Sequence, residues 1–157
     1  IDYTAKELSY YKLTTEGYVA VIGYAVVTPA RESLPRDVVR GRVRQLVEKP
    51  IWCPKVGGQI RKEDPTLPAG CLPYGHPQNA MGDWRFDVNW DVSGYELVRL
   101  HGTTGYPKGN FWDQETYGCI RLENRAIKNL IDVLGTQAIK EGIEIVLWRS
   151  TPTLSGE

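Results

Sequence analysis

The sequence LVRLHGTTGYPKGNFWDQETYGCIRLEN, residues 97–124, places a histidine and a cysteine eighteen positions apart at the two ends of one loop. The alternation at its start predicts a half-buried strand that ends at His101 beside Gly102. Glycine, proline and polar residues predict a loop over residues 103–116. A short apolar-flanked run after Cys119, residues 120–122, predicts a second strand. The imidazole and the thiol would therefore each lie where a strand meets a loop.

Cys119 is a candidate nucleophile if a base lies near its sulfur, because the thiolate is the reactive form and an isolated cysteine is mostly thiol at neutral pH. His101 is the candidate base, since the only other histidine, His76, lies in a segment rich in proline and glycine. The alternative is that Cys119 is a small core residue and His101 a structural histidine. The residue types alone do not decide between these interpretations.

The local pattern favours a catalytic role for Cys119 and His101. The run His101-Gly102-Thr103, followed by Thr116-x-Gly-Cys-Ile-Arg-Leu-x-Asn124, resembles the signature of the L,D-transpeptidase catalytic domain, the YkuD-type family. Tyr117 stands where the family often has histidine, and Val-Arg-Gly at residues 39–41 replaces a Pro-x-Gly. These departures bear on substrate preference rather than on reaction class. Four further segments resemble the family in the same order, namely residues 8–11, 49–54, 60–63 and 75–82.

The resemblance implies an acyltransferase of cell-wall biogenesis that acts on the stem peptides of bacterial peptidoglycan, in the periplasm or cell wall. Cys119 would attack the carbonyl of the third stem residue, usually a diamino acid, and expel the terminal D-alanine. An amine of a second stem would resolve the thioester and make a cross-link that helps to maintain cell shape. Water in that role would make the enzyme an L,D-carboxypeptidase, a hydrolase, and a free D-amino acid would give an exchange product. Carbapenems would be covalent inhibitors, and no cofactor or metal is expected.

Two other classes compete with this interpretation. The domain could be a catalytically inactive module that binds the cell wall, with Tyr117 as an early sign of lost activity. A papain-like thiol protease is a third possibility, but the sequence around Cys119 does not match it, and the histidine precedes the cysteine.

The predicted site has three parts. Cys119 and His101 are catalytic, and the resemblance implies that a backbone carbonyl near Gly102 orients the imidazole. The amides of Tyr117, Gly118 and Cys119 are placed to stabilise an oxyanion, and Gly118 would be glycine because a side chain would crowd the substrate carbonyl. Arg121 would lie on the same side of its strand as the sulfur and is expected to brace the loop or to bind substrate, with bracing favoured. The remaining candidates for substrate contact are Thr103, Tyr106, Asn110, Trp112 and Thr116.

Length and composition set limits on the fold and the partners. A chain of 157 residues suits one domain, residues 1–157, with a single core. Its 19 basic and 19 acidic residues balance, so there is no global field to attract nucleic acid. No apolar run approaches the roughly 20 residues that span a bilayer. Because the chain starts at Ile1, we expect a mature or excised form that has lost a signal or a preceding region.

Cys53 and Cys71 lie in loop-rich sequence and could form a disulfide, or both could be reduced and buried. A zinc site that also uses His76 is disfavoured, because the spacing of zinc motifs is absent.

The remaining pattern predicts mainly strands with one substantial helix, hence a β-sandwich or curled mixed sheet with a helix packed on it. The resemblance implies the same fold, that of the L,D-transpeptidase catalytic domain. A helix capped by Asn124 would turn Ile127, Leu130, Ile131 and Leu134 to the core and end at Gly135. Trp52 would anchor a long ordered loop over residues 49–79. Strands are predicted over residues 7–13, 18–28, 38–47, 84–88, 95–101 and 142–149, with a frayed tail at 150–157.

Overall fold

The computed structural model describes residues 1–2, 5–26, 28, 38–96, 98–105, 116 and 118–148. Within these residues the chain is mainly β, with one helix of eleven residues and two short ones. The elements are β1 (Glu7–Thr14), β2 (Gly17–Ala25), β3 (Val39–Glu48), α1 (Gln59–Glu63), β4 (Trp84–Trp90), β5 (Leu100–His101), β6 (Ile120–Arg121), α2 (Asn124–Leu134), α3 (Thr136–Glu141) and β7 (Glu144–Leu147).

Five strands form one mixed sheet in the order β6-β5-β4-β3-β7. The β5 and β6 strands are parallel, and the other neighbours in this sheet are antiparallel. The first two strands form a separate antiparallel hairpin, which the alternation in the sequence predicts. The mainly β mixed-sheet prediction is therefore confirmed at this level of description.

The core lies between α2 and one face of the sheet. Ile127, Leu130 and Ile131 of the helix are buried, and Gly135 ends the helix with a positive φ of 77°, as the periodicity predicts. Burying each such side chain contributes roughly 1.5–3 kcal/mol. The sheet residues that belong to the same buried cluster include Val39, Val43, Phe86, Val88, Leu100 and Ile120.

The β3 strand alternates between a buried and an exposed face over its first half. Val39, Gly41 and Val43 are buried, whereas the intervening arginines are exposed. Arg40 pairs with Glu144 at 2.8 Å, and because both side chains are exposed this pair contributes at most about 1 kcal/mol. The face of β3 that carries these arginines is thus a solvated, charged surface in the first half of the strand.

The segment between β3 and β4 is held by a disulfide and a small core of its own. Cys53 and Cys71 are bonded, which confirms the disulfide and excludes the zinc site, since both sulfurs are already used. Trp52 packs beside buried Leu67 and Leu72, so its predicted anchoring role is confirmed. The short helix α1 within this segment was not expected from the sequence.

Several boundaries differ from the prediction. The β2 strand ends at Ala25 rather than at residue 28, and β7 covers only Glu144–Leu147 of the predicted 142–149. The strand predicted over residues 95–101 begins only at Leu100, because a turn in which the Val98 amide donates to the Tyr95 carbonyl at 2.9 Å precedes it. The short helix α3 was not predicted, and the tail after residue 148 lies outside the described residues. None of the described helices is both long and apolar enough to cross a bilayer.

Candidate active site

The face of the sheet opposite α2 is polar at the β4-β5-β6 edge. Leu100 pairs with Phe86 on one side and with Ile120 on the other, and all three side chains belong to the core. Because successive residues of a strand point to opposite faces, the residues that flank them point away from the helix. This polar face carries Arg85 and Asp87 of β4, Arg99 and His101 at β5, and Cys119 and Arg121 at β6.

The register places the predicted nucleophile and base close together. His101 pairs with Arg121 across the parallel strands, and the Ile120 amide donates to the Arg99 carbonyl at 2.8 Å. Cys119 therefore lies beside Arg99 and diagonally from His101, at a Cα separation on the order of 8 Å for strands of this spacing. Two residues that are eighteen positions apart in sequence are thus brought to one face of neighbouring strands.

The imidazole of His101 is buried and held in one orientation. Its Nδ1 lies 2.5 Å from the carbonyl oxygen of Gly102, which is where the resemblance implies that a backbone carbonyl orients the ring. A carbonyl can only accept, so Nδ1 carries the proton and Nε2 keeps its lone pair. Burial lowers the pKa of His101 from 6.5 to about 4, partly opposed by the bond to Gly102, while Arg121, Arg85 and Arg99 lower it further. The imidazole is therefore neutral at neutral pH and available as a base.

The pKa of the Cys119 thiol is raised, whereas that of the His101 imidazole is lowered. Burial raises the pKa of the thiol above the ordinary value of 9.0. A hydrogen bond from the Arg99 backbone and the positive charges of Arg99, Arg121 and Arg85 lower it, but by less. The thiol of Cys119 and the imidazole of His101 are thus both neutral at neutral pH. Nucleophilic attack then requires the imidazole to take the proton as the sulfur reacts.

Two hydrogen bonds join Thr116 to Gly118 and Cys119. The Thr116 hydroxyl donates to the Cys119 carbonyl, and the Gly118 amide donates weakly to the Thr116 oxygen at 3.4 Å. Gly118 has a φ of +136°, and a Cβ there would meet nothing within 4 Å. Backbone conformation is therefore a sufficient reason for glycine at this position, since none of the described residues crowds it. Crowding of a substrate carbonyl stays a prediction.

A buried carboxylate on this face was not anticipated from the sequence. The side chain of Asp87 is 7% exposed, accepts a hydrogen bond from Arg85 Nε at 2.8 Å, and forms ion pairs with Arg99 Nε at 3.0 Å and Arg44 Nη2 at 3.6 Å. Three guanidinium groups thus surround one carboxylate, and Arg121 lies on the same face. This arginine cluster, namely Arg44, Arg85 and Arg99 around Asp87 together with Arg121, gives the neighbourhood of the sulfur a net positive charge. The alternation Arg85-Phe86-Asp87 indicates the polar face, but the meeting with Arg99 depends on strand register.

Asn124 has a different role from the predicted one. The N-cap of α2 is Glu123, and no side chain caps this end of the helix. The Asn124 Oδ1 instead accepts from the backbone amides of Thr103 at 3.1 Å and Asp83 at 3.2 Å. The side chain therefore ties the start of α2 to the chain that follows His101.

The other predicted site residues divide into two groups. Arg121 is 6% exposed and lies beside His101, which agrees with bracing. Thr103 is partly exposed, and its hydroxyl accepts from the Gly105 amide at 3.3 Å, while Thr116 is buried and its hydroxyl donates to the Cys119 carbonyl. Substrate contact by any of them stays a prediction. Tyr106, Asn110, Trp112 and Tyr117 lie outside the described residues.

Within the part of the chain that is described, no group of three histidine, cysteine or acidic side chains is arranged to hold a metal ion.

Comparison with known proteins adds no assignment. No protein-family model matches the chain, and no curated protein matches it either.

Proposed function

We propose that the protein is a cysteine-dependent acyltransferase of the L,D-transpeptidase type, and that its mixed sheet is the sheet of that catalytic domain. The observation that carries the proposal is the placement of Cys119 and His101 on one face of adjacent parallel strands, with the His101 ring fixed by the Gly102 carbonyl. The resemblance of the segment around these residues to the family signature supplies the substrate, the stem peptide of peptidoglycan.

The protonation states support a defined sequence of proton transfers. Nε2 of His101 takes the thiol proton as the Cys119 sulfur bonds to the carbonyl carbon of the third stem residue. The resulting imidazolium gives that proton to the nitrogen of D-alanine as the amide bond breaks, which leaves a thioester. An amine of a second stem then attacks the thioester carbonyl, its proton passes through His101 to the departing sulfur, and a new amide is formed.

The charge on the polar face suits this chemistry. A buried imidazole with a lowered pKa resists protonation before substrate arrives, so the base remains competent at neutral pH. The arginine cluster stabilises the thiolate as it forms and attracts the carboxylates of a stem peptide. The amides of Gly118 and Cys119, next to the sulfur in sequence, would be the donors to an oxyanion, the Gly118 amide after giving up its 3.4 Å bond to the Thr116 hydroxyl oxygen.

A location outside the cytoplasm follows from the same proposal, since the polymer is extracytoplasmic. The Cys53–Cys71 disulfide supports it, because structural disulfides persist mainly in oxidising compartments.

Covalent trapping tests the proposal. The protein is incubated with a carbapenem, and its intact mass is followed together with that of Cys119→Ala. We expect one adduct on the wild type and none on the variant, because the other two cysteines are bonded to each other. His101→Gln should slow adduct formation by on the order of 100-fold or more.

An intact protein that forms no adduct, or an adduct that persists in Cys119→Ala, would contradict the proposal. Analysis of muropeptide products then assigns the acceptor as a stem amine, water or a free D-amino acid.

A further inference from the structure

One peptide unit links the base to the helix α2. The carbonyl of Gly102 and the amide N–H of Thr103 are the two ends of the same planar group. His101 Nδ1 donates to the carbonyl end, and the amide end donates to Asn124 Oδ1 at 3.1 Å. The orientation of this peptide plane therefore decides where the imidazole has its hydrogen-bond acceptor.

Asn124 is itself tightly confined. Its Oδ1 also accepts from the Asp83 amide at 3.2 Å, so two backbone donors fix its position. A Cβ on Gly102 would lie 2.0 Å from this oxygen, and one on Gly82 would lie 2.3 Å from it. Contacts this short are impossible, so both glycines are needed for the carboxamide to fit against the backbone.

We infer that Asn124 is a positioning residue for His101, which holds the Gly102–Thr103 peptide plane so that its carbonyl keeps the proton on Nδ1 and leaves Nε2 as the base. Donation by the Thr103 amide polarises the peptide unit and strengthens its carbonyl as an acceptor. The effect on reaction rate rests on the proposed function, whereas the effect on the imidazole does not.

The test compares four proteins by nitrogen-15 NMR of labelled histidine: wild type, Asn124→Ala, Asn124→Asp and Asn129→Ala. Asn129 is the matched control, since it is an asparagine of the same helix whose Oδ1 accepts from the Tyr24 hydroxyl at 2.6 Å. A His76→Gln spectrum identifies the signals of His101. Carbapenem acylation rates are measured on the same samples.

We expect wild type and Asn129→Ala to show a single tautomer protonated at Nδ1. Asn124→Ala should show mixed tautomers and an acylation rate reduced by on the order of 10- to 100-fold, the cost of a misplaced catalytic group. Asn124→Asp keeps the accepting oxygen and should remain close to wild type in the tautomer. If Asn124→Ala does not fold, Asn124→Ser takes its place, because its hydroxyl is too short to reach both amides.

An unchanged tautomer in the truncated variant would overturn the inference. So would an equal change in Asn129→Ala, which would indicate a general effect of loosening α2, or loss of the tautomer in Asn124→Asp. If the wild type is not acylated at all, the proposed function fails, yet the imidazole spectra still decide the role of Asn124.

Discussion

The buried imidazole of His101 should make the stability of the fold depend on pH in a calculable way. Its pKa is about 4 in the folded protein and 6.5 for an unperturbed histidine. Each unit of pKa difference is worth about 1.4 kcal/mol, so the whole difference corresponds to about 3 kcal/mol. As the pH falls below 6.5, His101 binds a proton in the unfolded chain, whereas in the folded chain it does not bind one until about pH 4. Folding stability is therefore complete above pH 6.5 and is lost progressively toward pH 4.

Urea unfolding followed by tryptophan fluorescence measures this effect, with the disulfide kept oxidised. Between pH 7.5 and pH 5 the wild type should lose about 2 kcal/mol more than His101→Gln, because the variant lacks the titrating group and all other groups are shared. His76→Gln, which leaves the buried imidazole in place, should lose as much as the wild type. Equal losses for the wild type and His101→Gln would refute the conclusion that the imidazole is buried in its neutral form.

Three further changes test other parts of the structure. Cys71→Ser opens the eighteen-residue disulfide loop and should lower the free energy of unfolding by about 3 kcal/mol; an unchanged urea midpoint would contradict this. Asp87→Asn removes the counter-charge of the arginine cluster and should lower the free energy of unfolding by about 3 kcal/mol. If added salt makes this loss smaller, the interaction is not a buried one. Gly102→Ala should strongly destabilise the fold, because its Cβ would clash with Asn124 Oδ1, and should destabilise it less in an Asn124→Ala background, where that oxygen is absent. If the losses of the two single variants add up in a double-mutant cycle of thermal unfolding, the contact between Gly102 and Asn124 is refuted.

Local patterns in the sequence predicted the elements whose periodicity is long enough to be unambiguous. The alternation of β3 and the apolar stripe of α2 both match the structure, because burial on one face constrains every second residue of a strand and every third or fourth residue of a helix. The pairing of Cys53 with Cys71 was one of two alternatives, since sequence carries no Cα separation.

The errors arose where tertiary contacts override local preference. Asn124 has the residue type of a helix cap, yet its carboxamide is used by two backbone amides from other segments. The segment before Leu100 alternates like a strand, but the Trp90 indole donates to the Val98 carbonyl at 3.0 Å and a turn replaces the ladder. In the candidate site, the motif singles out His101 and Cys119, whose catalytic roles stay predictions. It does not indicate the carboxylate of Asp87, because the partners of Asp87 meet it only through strand register.

Release of D-alanine from a purified disaccharide tetrapeptide, with the tripeptide acyl group detected on Cys119 by mass spectrometry, tests the pairing of sulfur and imidazole most directly. The wild type should release D-alanine with formation of the thioester, and Cys119→Ala should release none. His101→Gln should react slower than the wild type by on the order of 100-fold or more. Wild-type protein that is folded but neither releases D-alanine nor gains the acyl mass would contradict acyl transfer at this site.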